Sequence, residues 1–476
     1  MKLIKNYLYN LSYQFFIILI PIILVPYISR TLGPDAIGMN AYTNSIVTYF
    51  ILLANLGLSL YGNRTIAYFR NDTDMRSKKF WEIAFFKMLM MLLSLLVFII
   101  FCLIYKQYKI LLFAQSVQLI AVGFDISWFF VGIEDFKKTV TRNVVVRGLS
   151  LICIFLFVKD SSDLVLYILI NGFSALFGNF TLWTYIKKYV TKSTVKIQDL
   201  KPHIRPVFFL FLPQLATSMF LTINRLLLGN LSTLTQTGYF DNTDKVVRVF
   251  LTFIIAIGTV AFPRIANYYK EGKHKEAEKL VRYAINLVSM VSFPISFGIF
   301  LVAKPFSNIF FGNQFDGIYI VLSILSFELI FMGWSSIIGQ QYLVAINKVS
   351  GLTISMVISI MLSTIGSVIL IPKYGAAGAA AMSVFAEIII IVIQLYYTKD
   401  LLNLKLIFSE VWEFLLSAIL MVTICSLFNR ILLPFSDLIN LVVQVIIGAL
   451  CYTVALLFLK PKVVMETVKY VKGRKK

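Results

Sequence analysis

The sequence predicts an all-α polytopic membrane protein of about fourteen transmembrane helices, built as two pseudo-symmetric six-helix lobes with two further helices at the C-terminal end. Three observations predict it. Hydrophobic residues make up 59% of the chain and charged residues only 14%, with a mean hydropathy of +0.84, a balance unlike that of a water-soluble domain. Apolar stretches near the roughly 20 residues needed to cross a bilayer recur with short polar breaks between them. The stretches are also continuous, whereas barrel strands would alternate over about ten residues with a polar lumen face.

The predicted elements run in order from the amino end. The first span, 8–28, lacks a signal-peptide cleavage pattern and is long enough to remain in the membrane. Spans at 40–61, 80–104, 111–132, 143–158 and 163–186 complete an N-lobe over residues 1–186. A basic cytoplasmic linker at 187–205 carries Lys187, Lys188, Lys192, Lys196, Lys201 and Arg205. The C-lobe, 206–400, holds spans at 206–228, 246–266, 281–303, 318–345, 351–371 and 376–397. Residues 401–476 add spans at 411–428 and 436–459 and a basic tail that includes Lys469, Lys472, Arg474, Lys475 and Lys476.

Charge placement orients this topology. With a cytoplasmic amino end, the inner segments collect Lys2 and Lys5, the cluster from Arg64 through Lys79, Lys137, Lys138 and Arg142, the linker, and Lys270 through Arg282. The outer segments hold few basic residues: Arg30, Lys106, Lys109, Lys159, Lys245, Lys304, Lys373 and Arg430. An odd error in the span count would scramble this asymmetry, so an even count with both termini inside is expected. The net charge of +21 is therefore a positive-inside signature, and the tail is read as an anchor to anionic lipid headgroups. Nucleic acid is not expected as a partner, because no aromatic-interleaved soluble domain accompanies the charge. Cys102, Cys153, Cys425 and Cys451 sit in apolar segments at no metal-ligand spacing, so no metal and no disulfide is expected.

The two lobes share a sequence pattern. The first reads Arg30-Thr-Leu-Gly33, Gly38-Met-Asn, an apolar span and then Asn63-Arg64-Thr-Ile-Ala67. The second reads Arg225-Leu-Leu-Leu-Gly229, Gly238-Tyr-Phe, a span and then Pro263-Arg264-Ile-Ala266. An even number of spans separates the copies, which implies parallel repeats and a substrate path where two bundles meet, suited to alternating access.

Several short motifs then point to a family. Pro26-Tyr-Ile-Ser-Arg30-Thr-Leu-Gly-Pro34 followed by Gly38, Leu56-Gly57 through Asn63-Arg64, and Asp125-Ile-Ser-Trp128-Phe-Phe-Val-Gly132-Ile-Glu134 fall in the first half. Phe311-Gly-Asn-Gln-Phe315 and Ile371-Pro372-Lys-Tyr-Gly375-Ala-Ala-Gly378 fall in the second. In order and spacing they resemble the Wzx-type flippases, the polysaccharide transporter branch of the superfamily that also contains multidrug extruders and lipid II flippases. The resemblance implies translocation of undecaprenyl-pyrophosphate-linked oligosaccharide from the inner to the outer leaflet of the bacterial cytoplasmic membrane. The material would serve capsule, exopolysaccharide or O-antigen synthesis. Its implied partners are that lipid-linked sugar, membrane lipids, and a polysaccharide polymerase with other assembly components. A lipid II flippase or a multidrug extruder of the same fold is the alternative.

A pyrophosphate headgroup needs cationic groups in a hydrated cavity, so basic residues in or beside spans are the candidate substrate site: Arg30, Arg64, Lys87, Arg147, Arg225, Arg248 and Arg264. The repeat pairs Arg30 with Arg225 and Arg64 with Arg264. Arg30, Arg225 and Arg248 form an outer set; Arg64, Lys87, Arg147 and Arg264 form an inner one. Arginines at helix ends also cap carbonyls or snorkel to lipid phosphates. No phosphate-cradling Gly-rich loop with its Lys is present, so direct ATP hydrolysis is not expected. Coupling to H+ or Na+ is the remaining route, with Asp125, Glu328 and Glu387 as intramembrane carboxylate candidates. Asp125 has the competing role of ion-pair partner to a basic neighbour. His203 and His274 fall in predicted cytoplasmic loops, which excludes a histidine relay across the membrane. Tyr42, Asn44, Gln115, Gln118, Trp128, Asn224, Asn242 and Gln340 could contact sugar, though interhelical hydrogen bonding is the commoner use of such groups. No sizeable outer loop carries an acid/base pair, so the chain is not expected to be an enzyme.

Overall fold

The computed structural model describes residues 2–259, 262–432 and 436–465, with side chains from Ile18 onward apart from those of a few residues near 213, 259 and 429–432. Described residues form helices α1 Lys2–Asn55, α2 Leu58–Tyr68, α3 Thr73–Ile104, α4 Lys109–Gly123, α5 Ser127–Gly132, α6 Phe136–Phe157, α7 Leu164–Ile186 and α8 Lys201–Leu231. There follow α9 Leu234–Thr259, α10 Phe262–Lys270, α11 His274–Phe310, α12 Ile318–Leu325, α13 Glu328–Ser335 and α14 Val349–Thr398. The last three are α15 Leu404–Ile407, α16 Val411–Leu432 and α17 Asp437–Leu459. No strand occurs among the described residues. The tail from Lys469, like the side chains of Lys2, Lys5 and Arg430, lies outside what is described.

Among the described residues, eleven helices are long and apolar enough to cross a membrane, or twelve if the bent pair Ile197–Leu212 and Gln214–Leu231 counts as one span. Helix count and span count differ for a physical reason. The 54 residues of α1 would extend about 80 Å at the usual rise, far beyond a hydrocarbon core of about 30 Å. They hold the predicted span 8–28 and most of 40–61, whose last residues fall in α2, and the two are divided at Gly33, whose φ of 77° is readily adopted only by glycine. Pro34 follows and has no N–H for the helical ladder. The 50 residues of α14 likewise hold the spans 351–371 and 376–397, divided at Gly375 with φ 55°. There the Ala376 N–H, freed at the break, donates to Gln236 Oε1 at 2.8 Å.

Lipid-facing and protein-facing sides separate along each span. On α3, Leu92, Leu93, Leu96 and Leu103 are exposed while Phe80, Phe86, Met91 and Phe98 are buried, as expected when the outer solvent is hydrocarbon. The short helices α2 and α10 carry the two Arg-Thr/Ile segments of the sequence repeat, each just after a long span. Residues Ser336–Leu343, between α13 and α14, adopt a wide π-helical turn of the kind that interrupts helices at functional positions.

The chain folds as two compact units, Met1–Gly229 and Asn230–Lys476. In the first, an aromatic core gathers Phe80, Phe86, Trp128, Phe129 and Phe130 with Leu182 and Val207, tying α3, α5, α7 and the start of α8 together. A second cluster of Val47, Met91, Phe98, Leu112 and Leu119 joins α1, α3 and α4. In the second unit, Phe293, Ile330, Phe414, Met421 and Tyr452 pack α16 and α17 against α11 and α13. Arg282 on α11 fastens the same region through a 2.7 Å contact to Glu410.

Candidate functional site

In the first unit, two of the short motifs fold onto each other. Gly62 on α2 faces Trp128 on α5 so closely that a Cβ would lie 2.5 Å from the ring. Gly132 on α5 faces the Asn63 carbonyl with a corresponding distance of 2.9 Å. The Trp128 indole N–H donates to the Asp125 carbonyl at 3.1 Å, and Arg70 meets Glu134 at 2.7 Å. Trp128 is thus a packing residue, 2% exposed.

Lys87 stands behind this junction. It is 1% exposed and donates to the Asp125 carbonyl at 2.9 Å and to Ser59 Oγ at 3.0 Å, with Asp125 Oδ2 at 3.8 Å. Asp125 Oδ1 accepts from the Ser127 N–H at 2.9 Å. As placed, the ammonium is enclosed by α2, α3 and the α4–α5 turn, and the geometry pairs the two charges with each other.

Arg64 is exposed and lines a cavity of about 530 Å³ with Tyr61, Thr65, Tyr68, Lys79, Pro206 and Phe209. Behind its wall lies a cluster that sequence reasoning missed. His203 belongs to helix α8, not to a loop, and is 1% exposed. Its Nδ1 is 2.7 Å from the Tyr61 hydroxyl and its Nε2 is 2.8 Å from Glu82 Oε2, itself 2.8 Å from Lys79 Nζ. The polar flanks of His203 suggested a loop, but α8 begins at Lys201 and buries that one face against α2 and α3. A lone Glu at position 82 inside an apolar run was the available signal.

Arg147 is exposed and lines a separate polar cavity of about 300 Å³ between α6 and α7, with Arg142, Asn143, Ser150, Asn171, Ser174 and Asn179. Arg142 bonds Asn179, whose amide donates to the Ala121 carbonyl at 2.6 Å. Arg30 is exposed one turn before the Gly33 break. Arg225 is half-buried and returns a hydrogen bond to the Leu221 carbonyl of its own helix. Asn44 donates to Gln115 at 3.1 Å and Gln115 to Thr43 at 2.7 Å, while the Tyr42 and Tyr105 hydroxyls lie 3.0 Å apart. These polar groups are interhelical ties.

In the second unit, Arg248 on α9 pairs with Asp244 at 2.8 Å, and Lys245 with Asp241 at 2.6 Å. Glu328 and Glu387 are buried at 3% and 2% exposure, act electrostatically on each other and on Arg248, and Glu387 accepts from Ser335 Oγ at 3.3 Å. Two of the three carboxylate candidates, Glu328 and Glu387, are therefore brought into one polar cluster with Arg248. Arg264 on α10 is exposed. A cavity of about 480 Å³ opens between α9, α11, α16 and α17, lined by Phe250, Ile299, Phe306, Met421 and Val445 with Gln444 as its polar member. No group of three or more His, Cys, Asp or Glu suited to a metal is found among the described residues.

Known proteins are similar to this chain in sequence and in fold. A family model described as polysaccharide biosynthesis protein matches residues 3–269. The chain is 21% identical over 405 residues to the "Putative O-antigen transporter" of Escherichia coli strain K12, covering 84% of this chain and 97% of that one. It is 25% identical over 260 residues to the capsular polysaccharide biosynthesis protein CapF of Staphylococcus aureus, covering 53% and 64%. Among solved structures, the lipid II flippase MurJ in an inward closed conformation superposes with a TM-score of 0.77, at 17% identity, over 96% of this chain and 99% of that one. The last likeness establishes the fold.

Proposed function

Because the chain belongs to the polysaccharide biosynthesis protein family, we propose that it is a flippase for undecaprenyl-pyrophosphate-linked oligosaccharide repeat units. It carries them from the inner to the outer leaflet of the bacterial cytoplasmic membrane by ion-coupled alternating access, for capsule, exopolysaccharide or O-antigen synthesis. The observation that carries this reading is the cavity lined by Arg64 and Lys79, which offers two cations and two phenols beside a membrane-spanning helix. Such a set suits an oxyanion bearing sugar better than it suits a cationic drug.

The remaining residues divide by what they can reach. Arg30, Arg147 and Arg225 are the further headgroup and sugar contacts, since each is exposed or half-buried rather than enclosed. Arg264 supplies the equivalent of Arg64 in the second unit, and Arg248 joins the coupling cluster. Lys87 and Asp125 hold α2, α3 and α5 in register. Coupling to H+ or Na+ falls to Glu328 and Glu387, whose mutual repulsion in a buried site favours the binding of one cation. The apolar 480 Å³ cavity supports a lipidic substrate, since it offers aliphatic and aromatic surface without charge.

Deletion of the gene tests the reading. Loss of surface polymer with lipid-linked repeat units accumulating on the cytoplasmic face is the expected result. Normal polymer with altered drug sensitivity would refute it in favour of an extruder.

A further inference from the structure

The Tyr61–His203–Glu82–Lys79 cluster is built from residues that nothing in the headgroup reading requires to be buried together. Its members come from three helices: Tyr61 from α2, Lys79 and Glu82 from α3, and His203 from α8. Glu82 Oε2 is shared, accepting from Lys79 Nζ and lying against His203 Nε2, both at 2.8 Å. A neutral imidazole satisfies every contact: Nε2–H donates to Glu82 and Nδ1 accepts from the Tyr61 O–H at 2.7 Å. The carboxylate fixes that tautomer. Glu82 and His203 are 2% and 1% exposed, so any change in the charge of either must be answered by a neighbour.

Two members of the cluster also line the 530 Å³ cavity. Tyr61 and Lys79 form part of its wall together with Arg64, and the Lys79 side chain is 21% exposed. An oxyanion entering the cavity competes with Glu82 for the Lys79 ammonium. When Lys79 turns to the anion, Glu82 keeps a buried negative charge with His203 as its remaining close partner. A proton on Nδ1 restores the balance. The imidazolium then donates from Nε2 to Glu82 and from Nδ1 to the Tyr61 oxygen, and the phenol hydrogen turns outward toward the cavity. The other charges near the imidazole are Asp199 at the foot of α8, and Lys201 and Arg205, which point outward on α8 itself.

We propose that this cluster is a proton-binding site linked to an oxyanion site in the adjoining cavity. Arg64 and Lys79 take a phosphate-type oxyanion, and His203 takes up a proton as Lys79 leaves Glu82. The inference deepens the flippase reading and rests on it for identifying the anion as a lipid pyrophosphate. It places proton uptake at loading, on the side of the membrane where the headgroup enters, and apart from Glu328 and Glu387. Linkage is reciprocal: whatever factor the anion adds to proton affinity, the proton adds to anion affinity.

The test uses full-length protein in detergent micelles, labelled with [15N]histidine. The chain has two histidines, and His203→Gln assigns the His203 signal. Sulfate is the probe, because its charge does not change between about pH 5 and about pH 8, so any pH dependence belongs to the protein. Saturating sulfate is expected to raise the proton affinity of His203 by about fivefold or more. Lys79→Gln should abolish that change while His203 still titrates, and Tyr61→Phe should diminish it. A His203 titration indifferent to saturating sulfate, or a change that persists in Lys79→Gln, overturns the inference. Neither result touches the flippase reading, which is judged by translocation of lipid-linked sugar. Failure of sulfate to bind at either pH extreme overturns the inference and removes the cavity as headgroup site. Should His203→Gln not fold, the wild-type titration with and without sulfate decides alone.

Discussion

Replacing Lys87 by Met should destabilise the first unit by about 3 kcal/mol, and the size follows from what is left behind. Removing one partner from a buried ion pair costs about 3–5 kcal/mol, because the other charge stays uncompensated. Two features hold this case at the lower end. Asp125 keeps 27% of its side-chain surface accessible, and its carboxylate retains the Ser127 N–H at 2.9 Å. The neutral acceptors also have second partners: Trp128 still donates to the Asp125 carbonyl, and Ser59 still bonds Asn55 Oδ1 at 2.7 Å. The loss is therefore mostly electrostatic. Asp125→Asn added to Lys87→Met removes the stranded charge and should restore about half of the lost stability, so the double variant loses much less than the sum of the two single variants. Thermal unfolding of the single and double variants in detergent micelles reads this directly. Lys87→Met as stable as wild type, or strictly additive effects, would refute the view that the pair is a structural lock.

Other sites give independent outcomes. Gly62→Ala brings a Cβ to 2.5 Å from the Trp128 ring and should cost about 1–3 kcal/mol, visible as reduced membrane yield and earlier unfolding. Gly375→Ala meets both a φ of 55° and Gln236 Oε1 at 2.7 Å, so about 1–3 kcal/mol of destabilisation is expected in the second unit, measured by limited proteolysis. Arg64→Gln removes a cation from an exposed cavity wall and should lower polymer export about tenfold or more at normal protein level, checked by surface polysaccharide assay. Glu387→Gln should leave folding intact while abolishing the dependence of translocation on the coupling ion, read in vesicles with imposed proton or sodium gradients.

The architecture was legible because a bilayer imposes a simple demand: a run of apolar residues long enough to cross it. That demand places fourteen spans on the sequence without reference to any partner. It does not say where the backbone stays helical between spans. Gly33 and Gly375 turn the chain within a few residues, so α1 and α14 each carry two spans, and only the positive φ at those glycines marks the division. The paired charges were half legible. A lysine at position 87 inside an apolar run had to have a reason to be there, and so did Asp125. That they meet each other depends on α3 lying against the α4–α5 turn, which no spacing encodes. His203 was the clearest miss. Its neighbours Lys201, Pro202 and Arg205 read as a solvent loop, but a helix averages its faces, and one residue in that polar stretch points inward. Tyr61, Glu82 and His203 are separated by up to 142 residues, so their union is a property of packing.

Purified protein in sealed vesicles, supplied with undecaprenyl-pyrophosphate-linked oligosaccharide on one leaflet, gives the most direct measurement of the central claim. Appearance of the sugar on the opposite leaflet, scored by accessibility to an added glycosidase, is predicted for wild type and should fall sharply in Arg64→Gln. Equal rates in protein-containing and protein-free vesicles, with a cationic drug moved instead, would contradict the account.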